Sequence, residues 1–105
     1  MAILIRPLGS FNKKSSFLLQ QKLKKVLAIK SEHCCVVDLA TIKSINNYGL
    51  MTLVALHRIA NKKGCNLYLM NLNDSVKYCL ELTGLDGKLA ISQNSMNVNY
   101  TQVVN

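Results

Sequence analysis

Apolar residues recur along the chain in two alternating rhythms. Ile3, Leu4 and Ile5 form a short continuous run that reads as a strand, and Pro7 with Gly9 punctuates it before Phe11. The spacing then changes. Leu19, Leu23, Val26 and Leu27 follow i, i+4, i+7, i+8, the stripe of an amphipathic helix. Gln20, Gln21, Lys22, Lys24 and Lys25 fall on its other face, and Ser15 or Ser16 is the expected cap. Cys34 to Leu39 is a β-compatible run with little alternation, as expected of a central strand covered on both faces. Leu50, Leu53, Val54, His57 and Ala60 return to helical spacing, with Gly64 suited to the C′ position and Asn47 the expected N-cap. Leu67 to Met70 is the next strand. Asn73 or Asp74 caps a third helix through Val76, Cys79, Leu80 and Thr83, which Gly84 ends as a left-handed C-cap with Leu85 trailing it. Lys88 to Ile91 closes the pattern as a short last strand. Residues 92–105 are polar and Asn-rich, and are expected to be a loosely docked or frayed segment following a domain at 1–91.

Strands that alternate with helices over short connections require crossovers on a largely parallel sheet, so the fold class is α/β. A chain of 105 residues, half of them hydrophobic, fits one compact domain and can bury roughly two-thirds of its unfolded surface. Neither repeats nor a long linker divide it. The four cysteines, Cys34, Cys35, Cys65 and Cys79, form no C-x-x-C pair or evenly spaced framework, and free thiols in a reducing cytoplasm account for them. The first residues lack a secretory pattern and no run approaches the ~20 apolar residues of a membrane span, so a cytoplasmic location is expected.

Charge changes the picture more than composition does. The net charge is +8, and Arg6, Lys13, Lys14, Lys22, Lys24, Lys25 and Lys30 all precede the first acid, Glu32. Such a surface favours an acidic protein or an anionic membrane. The basic helix reads first as a solvated face. Nucleic acid is disfavoured, because stacking aromatics and an Arg-rich reading element are both lacking.

The chain offers little material for catalysis. Glu32, Asp38, Asp74, Glu81 and Asp86 have no paired spacing, and no Gly-rich phosphate loop is present. Asp38 has no nucleophile or base beside it in sequence. His33 beside Cys34 and Cys35 suggests a metal, but adjacent strand residues point to opposite faces, so buried small hydrophobes are the better reading and no metal is expected. His57 on an apolar stripe reads as a core or half-exposed histidine. A non-enzyme without a cofactor follows.

The stretch Val36-Val37-Asp38-Leu39-Ala40-Thr41-Ile42-Lys43-Ser44-Ile45-Asn46-Asn47-Tyr48-Gly49 resembles the signature of the STAS domain, found in bacterial anti-sigma factor antagonists and sulfate-transporter tails. In that family the strand ends in Asp-Leu-Ser and the next helix opens with Asp-Ser-x-Gly, whose Ser accepts phosphate from a partner kinase. Asn46 and Asn47 stand in place of that Asp and Ser. A second anchor, Leu69-Met70-Asn71-Leu72 running into Leu80-Glu81-Leu82-Thr83-Gly84-Leu85, matches the family's strand followed by Leu-x-Leu-Thr-Gly-Leu. The resemblance covers Ile3 to about Ile91. It implies a single STAS-like domain with a four- or five-stranded mixed, largely parallel sheet backed by helices, and a turn and short second strand at Leu8 to Asn12.

The resemblance also implies a non-catalytic regulatory domain, like an anti-sigma factor antagonist, that lacks the usual phosphoacceptor. Its partner would be an anti-sigma factor or related kinase regulator with an ATPase fold, contacted through Asn46, Asn47, Tyr48, Gly49, Met51 and Thr52. The alternative is a scaffold subunit of a transporter or signalling assembly, and a nucleotide-binding module is a weaker third. Ser44, Tyr48 and Thr52 stay open as displaced acceptors, Ser44 least because the family has a core-entering apolar residue there.

Overall fold

A computed structural model describes residues 2–29, 34–91 and 100–104, the last of these by their backbone. The strands are β1 (Ala2–Ile5), β2 (Cys34–Asp38), β3 (Asn66–Met70), β4 (Ala90–Ile91) and β5 (Tyr100–Val104), and the helices are α1 (Lys13–Ile29), α2 (Asn47–Lys62) and α3 (Asp74–Thr83). A 3-10 turn at Leu85–Gly87 follows α3. The sheet order is β4-β3-β2-β1-β5 and every described pairing is parallel, with Ile3 opposite Cys35 and Val37 opposite Leu69. The sheet is therefore five-stranded and purely parallel among the described residues, rather than mixed.

Three crossovers, β1-α1-β2, β2-α2-β3 and β3-α3-β4, step in the same direction across the sheet. Right-handed connections of that kind place all three helices on one face. The core agrees, because it joins one alternate set of strand residues, Ile3, Ile5, Cys35, Val37, Leu67 and Leu69, to Leu19, Leu23 and Leu27 of α1, Leu53, Leu56 and Ala60 of α2, and Val76 and Leu80 of α3. Leu4 and Val36 belong to the other set and are also buried. The expected central strand, β2, is enclosed from both sides as its unbroken apolar run requires.

The capping residues differ from expectation at two helices. α1 starts at Lys13 and is capped by Asn12, whose Oδ1 accepts from the Ser15 N–H at 2.9 Å while Ser15 Oγ accepts from the Asn12 N–H at 2.9 Å. Ser15 is thus the third helical residue of a reciprocal capping box and not the cap itself, and Ser16 is buried. The residues before it, expected as a short strand, form a loop that places Phe11 in the core. At α2 the cap is Asn46 and not Asn47. At α3 it is Asn73, with Gly84 in the left-handed region at φ 74° after the last turn.

The last strand before the tail is shorter than Lys88 to Ile91, because the Leu89 N–H turns back to the Leu85 carbonyl at 2.8 Å and only Ala90 and Ile91 reach the sheet. Tyr100–Val104, inside the segment expected to be loosely docked or frayed, pairs with β1 along the opposite edge. His33 and Glu32 lie outside the described residues.

Candidate functional site

The connection from β2 to α2 is held at each end by side chains that satisfy backbone groups. Asp38 Oδ1 accepts from the Ala40 N–H and from Asn71 Nδ2, both at 3.0 Å, and its Oδ2 lies 3.6 Å from Arg6 Nε. This acid is a turn-former with a basic neighbour and has no catalytic partner among the described residues. Asn71 itself sits at φ 59°, a left-handed conformation that Asn tolerates better than most side chains. Leu39, Ile42 and Ile45 are buried and anchor the loop from below. From above, Thr41 Oγ1 donates to the Pro7 carbonyl at 2.8 Å, and Asn73 Nδ2 donates to the Ile42 and Lys43 carbonyls at 3.2 and 2.9 Å. Ser44 is exposed rather than core-entering, since Ile42 and Ile45 take the inward positions on either side of it.

The start of α2 is fixed by Asn46. Its Oδ1 accepts from the Gly49 N–H at 2.9 Å, satisfying one of the helix's orphan donors, and its Nδ2 donates to the Phe11 carbonyl at 2.9 Å. Gly49 is buried where a Cβ would lie 2.8 Å from Phe11 Cδ2 and closer still to Ile45 Cγ1. Only a residue without a side chain lets α2 approach this closely. Thr52 is fully buried, and its hydroxyl lies within hydrogen-bonding distance of Ser16 Oγ and the Tyr48 carbonyl. Gln20 Nε2 reaches Ser16 Oγ at 3.2 Å. One consistent arrangement has Gln20 donating to Ser16, Ser16 to Thr52 and Thr52 to the Tyr48 carbonyl, which pairs both hydroxyls.

The six expected contact residues therefore separate. Asn46, Gly49 and Thr52 are the supports of the site: a cap, a close-packing position and a buried polar bridge. A partner can reach Asn47, Tyr48 and Met51, the last two 46% and 66% exposed. Thr52 is likewise closed to a kinase, whereas Ser44 and Tyr48 are open to one.

Phe17 was not picked out from the sequence, and the buried Ser16 was expected only as a possible cap. Phe17, on α1, is 60% exposed and joins Tyr48, Met51, Leu50, Val54 and Leu85 in lining a groove of about 620 Å³ over α2. An exposed Phe beside a stripe of Leu was the available signal. Farther along α2, Gln20, Lys24, Arg58, Lys62 and Lys63 line a second hollow of about 660 Å³.

The Cys35 thiol hydrogen-bonds with Cys65 and is buried, both of which push its pKa well up, and burial also raises that of Cys34. Thiols held protonated in this way are poor nucleophiles and poor ligands. His57 is half-buried with Nε2 3.4 Å from Asn61 Nδ2, and its Nδ1 has no partner among the described residues. No group of three or more His, Cys, Asp or Glu side chains converges among the described residues. None of the described helices is long and apolar enough to cross a membrane.

With the fold and the α2 site laid out, the class of protein is defined: the STAS domain family matches residues 2–97, and the chain belongs to it. Solved structures share its fold. A Thermotoga maritima protein described provisionally as an anti-sigma factor antagonist superposes with a TM-score of 0.69 at 21% identity, over 81% of this chain and 73% of that one. RsbS of Moorella thermoacetica, in a form carrying a serine-to-glutamate substitution, gives 0.73 at 17% identity over 87% and 79%. The STAS domain of a SulP transporter from Vibrio cholerae gives 0.67 at 15% identity over 87% and 73%.

Substitutions at neighbouring positions should separate sharply. Asn46→Ala removes the cap and leaves the Phe11 carbonyl short of a donor, and should cost about 1–2 kcal/mol. Asn47→Ala, at an exposed first-turn position, should stay within about 0.5 kcal/mol. Gly49→Ala gains up to about 1 kcal/mol of helix propensity but meets overpacking of about 1–3 kcal/mol, so a net loss is expected. Urea midpoints at a common slope measure all three. A larger loss at Asn47 than at Asn46 would contradict the capping assignment.

Proposed function

We propose that this chain is a regulatory, non-catalytic protein-binding domain of the anti-sigma factor antagonist type, working in a bacterial cytoplasm without a phosphorylation switch at the start of α2. The observation that carries the reading is the exposure of Tyr48 and Met51 on a helix start held rigid by Asn46, Gly49 and Thr52. Large apolar side chains displayed on a stiff support lose little freedom on docking and make good anchors.

Asn47 occupies the position of the family's phosphoacceptor and carries no hydroxyl. A phosphate there would add about −1.5 to −2 charges and repel a docked partner, and an amide leaves the surface neutral. The partner implied by the family is an anti-sigma factor or related regulator with an ATPase fold, sequestered by this domain whatever the kinase activity around it. Membership of a generally non-catalytic fold supports the absence of enzymatic function.

A second reading, a scaffold subunit of a transporter or signalling assembly, is favoured by the likeness to a transporter STAS domain together with the net charge of +8. Co-purification from native extract with identification by mass spectrometry separates the two, since an ATPase-fold regulator supports the first and a transporter or scaffold the second. On the first reading, Tyr48→Ala and Met51→Glu each weaken the purified pair by about tenfold or more in calorimetry, as expected for anchor residues. Unchanged affinity in both variants would remove the start of α2 as the interface.

The lost switch has its own test. A STAS-type serine kinase with labelled ATP should leave the wild-type loop unlabelled. Stoichiometric label on Ser44 or Tyr48 would show that the acceptor has moved rather than vanished.

A further inference from the structure

The two helices that form most of the groove contain no acid, while α3 and the turn after it add Thr83 and Leu85 to its lining, with Asp86 next to Leu85 in sequence. α1 carries Lys13, Lys14, Lys22, Lys24 and Lys25, α2 carries Arg58 and Lys62, and Lys63 follows directly. The acids among the described residues are Asp38, held beside Arg6, and Asp74, Glu81 and Asp86 on α3 and the turn after it. Neither Lys24, Arg58, Lys62 nor Lys63 makes an ion pair with a described residue.

Within this one-signed field the apolar and charged parts are sorted along α2. Phe17, Tyr48 and Met51 stand at the N-terminal end with Lys13 also in the lining there, while Lys24, Arg58, Lys62 and Lys63 stand at the C-terminal end. Gln20, Ala55 and Arg58 line both hollows, so the two are continuous. From Tyr48 to Lys62 the axis of α2 advances about 21 Å, the length of about 14 helical residues.

We propose that this groove receives an acidic amphipathic helix of a partner protein, with an apolar end seated on Phe17, Tyr48 and Met51 and Asp or Glu side chains one to three turns away facing Lys24, Arg58, Lys62 and Lys63. The inference rests on the docking reading above and adds the chemistry of what docks. Val54 and Ala55 are half-buried beside the exposed Met51 and Arg58 in the lining of the hollow, the kind of concave apolar strip an amphipathic helix occupies. A flat lipid surface would touch the exposed side chains and leave that strip empty. The cationic end repels basic helices and steers acidic ones, so it selects among amphipathic partners that the apolar end alone would not distinguish.

The test uses a synthetic helical peptide of about 16 residues, with leucines at i, i+4 and i+7 in one half and glutamates in the other, titrated into the intact chain by calorimetry. A matched peptide with glutamine for glutamate, and vesicles of mixed neutral and anionic phospholipid, are run beside it. The acidic peptide should bind saturably. Affinity should fall about tenfold for the glutamine peptide, for the double variant Arg58→Glu with Lys62→Glu, and on raising salt from about 0.05 to 0.5 M.

Met51→Glu should abolish binding. The double variant Lys14→Glu with Lys25→Glu, on the outer face of α1 and outside both hollows, should keep most of it. Circular dichroism confirms that each variant is folded.

Equal binding of the two peptides overturns the proposal, as does equal damage from the Lys14/Lys25 and Arg58/Lys62 double variants, which would mean a diffuse field only. Vesicle binding without peptide binding overturns it in favour of a membrane surface. If the co-purified partner depends on Met51 while the acidic peptide does not bind, the docking reading survives and this inference fails. If the peptide depends on Arg58 and Lys62 while the co-purified partner ignores Tyr48 and Met51, the groove stands and the earlier reading falls.

Discussion

The missing Cβ at Gly49 is the constraint on which the arrangement of this domain depends. A methyl group there would collide with Ile45 on the loop before α2 and with Phe11 on the loop before α1, so the glycine lets the start of α2 and a segment distant in sequence meet at one point. Asn46 closes the same junction from the polar side, capping Gly49 with one end of its amide and holding Phe11 with the other. Because packed interiors resist deformation, fixing this point fixes how α1 and α2 lie against each other, and with that the width of the groove between them. The buried Ser16–Thr52 bridge acts nearby on those helices. A buried hydroxyl pair adds little net stability but is costly in any packing that separates the two groups, which makes the observed register specific.

The sheet was legible in the sequence because its signals are collective. Cys34 to Val37 and Leu67 to Met70 are uninterrupted apolar runs, and either survives a misread residue. Caps were less legible, because Asn12, Ser15 and Ser16, or Asn46 and Asn47, are chemically alike and a shift of one residue leaves the periodicity unchanged. What selects Asn46 is a second partner, the Phe11 carbonyl, which lies 35 positions away in the chain. The strand expected at Leu8 to Asn12 rested on likeness rather than on pattern. Those residues instead supply a core side chain and a helix cap. β5 was hidden for another reason: a strand at a sheet edge need not be strongly apolar, and the polar character of residues 92–105 masked its pairing with β1.

The site was legible as a place but not as a set of roles. Sequence spacing groups Asn46 to Thr52 as one segment, whereas a helix distributes consecutive residues around its axis, so half of them must face inward. Gly49, Thr52 and Leu53 do, and Asn47, Tyr48 and Met51 do not. The same geometry explains why Phe17 was missed. It belongs to the surface through α1, and no local pattern connects position 17 to position 51.

The charge distribution gives this surface a character that the fold alone does not. In a domain of this size a uniform cationic coat would raise self-repulsion without favouring any particular face. Here the acids among the described residues lie on α3, on the turn after it and at the Asp38 turn; Asp38 holds the loop, and Asp74 sits in the first turn of its helix, where the dipole favours a negative charge. That placement leaves the α1–α2 face with a single sign next to its exposed aromatic and thioether side chains. A neutral amide at position 47 is consistent with that polarity, since a phosphate there would place a lasting negative charge beside the apolar anchors and compete with any acidic ligand for the nearby cations. On the proposed reading, a neutral Asn47 at the helix start and the positive charge along α1 and α2 act in one direction, toward a surface whose preference for partners is set by its composition.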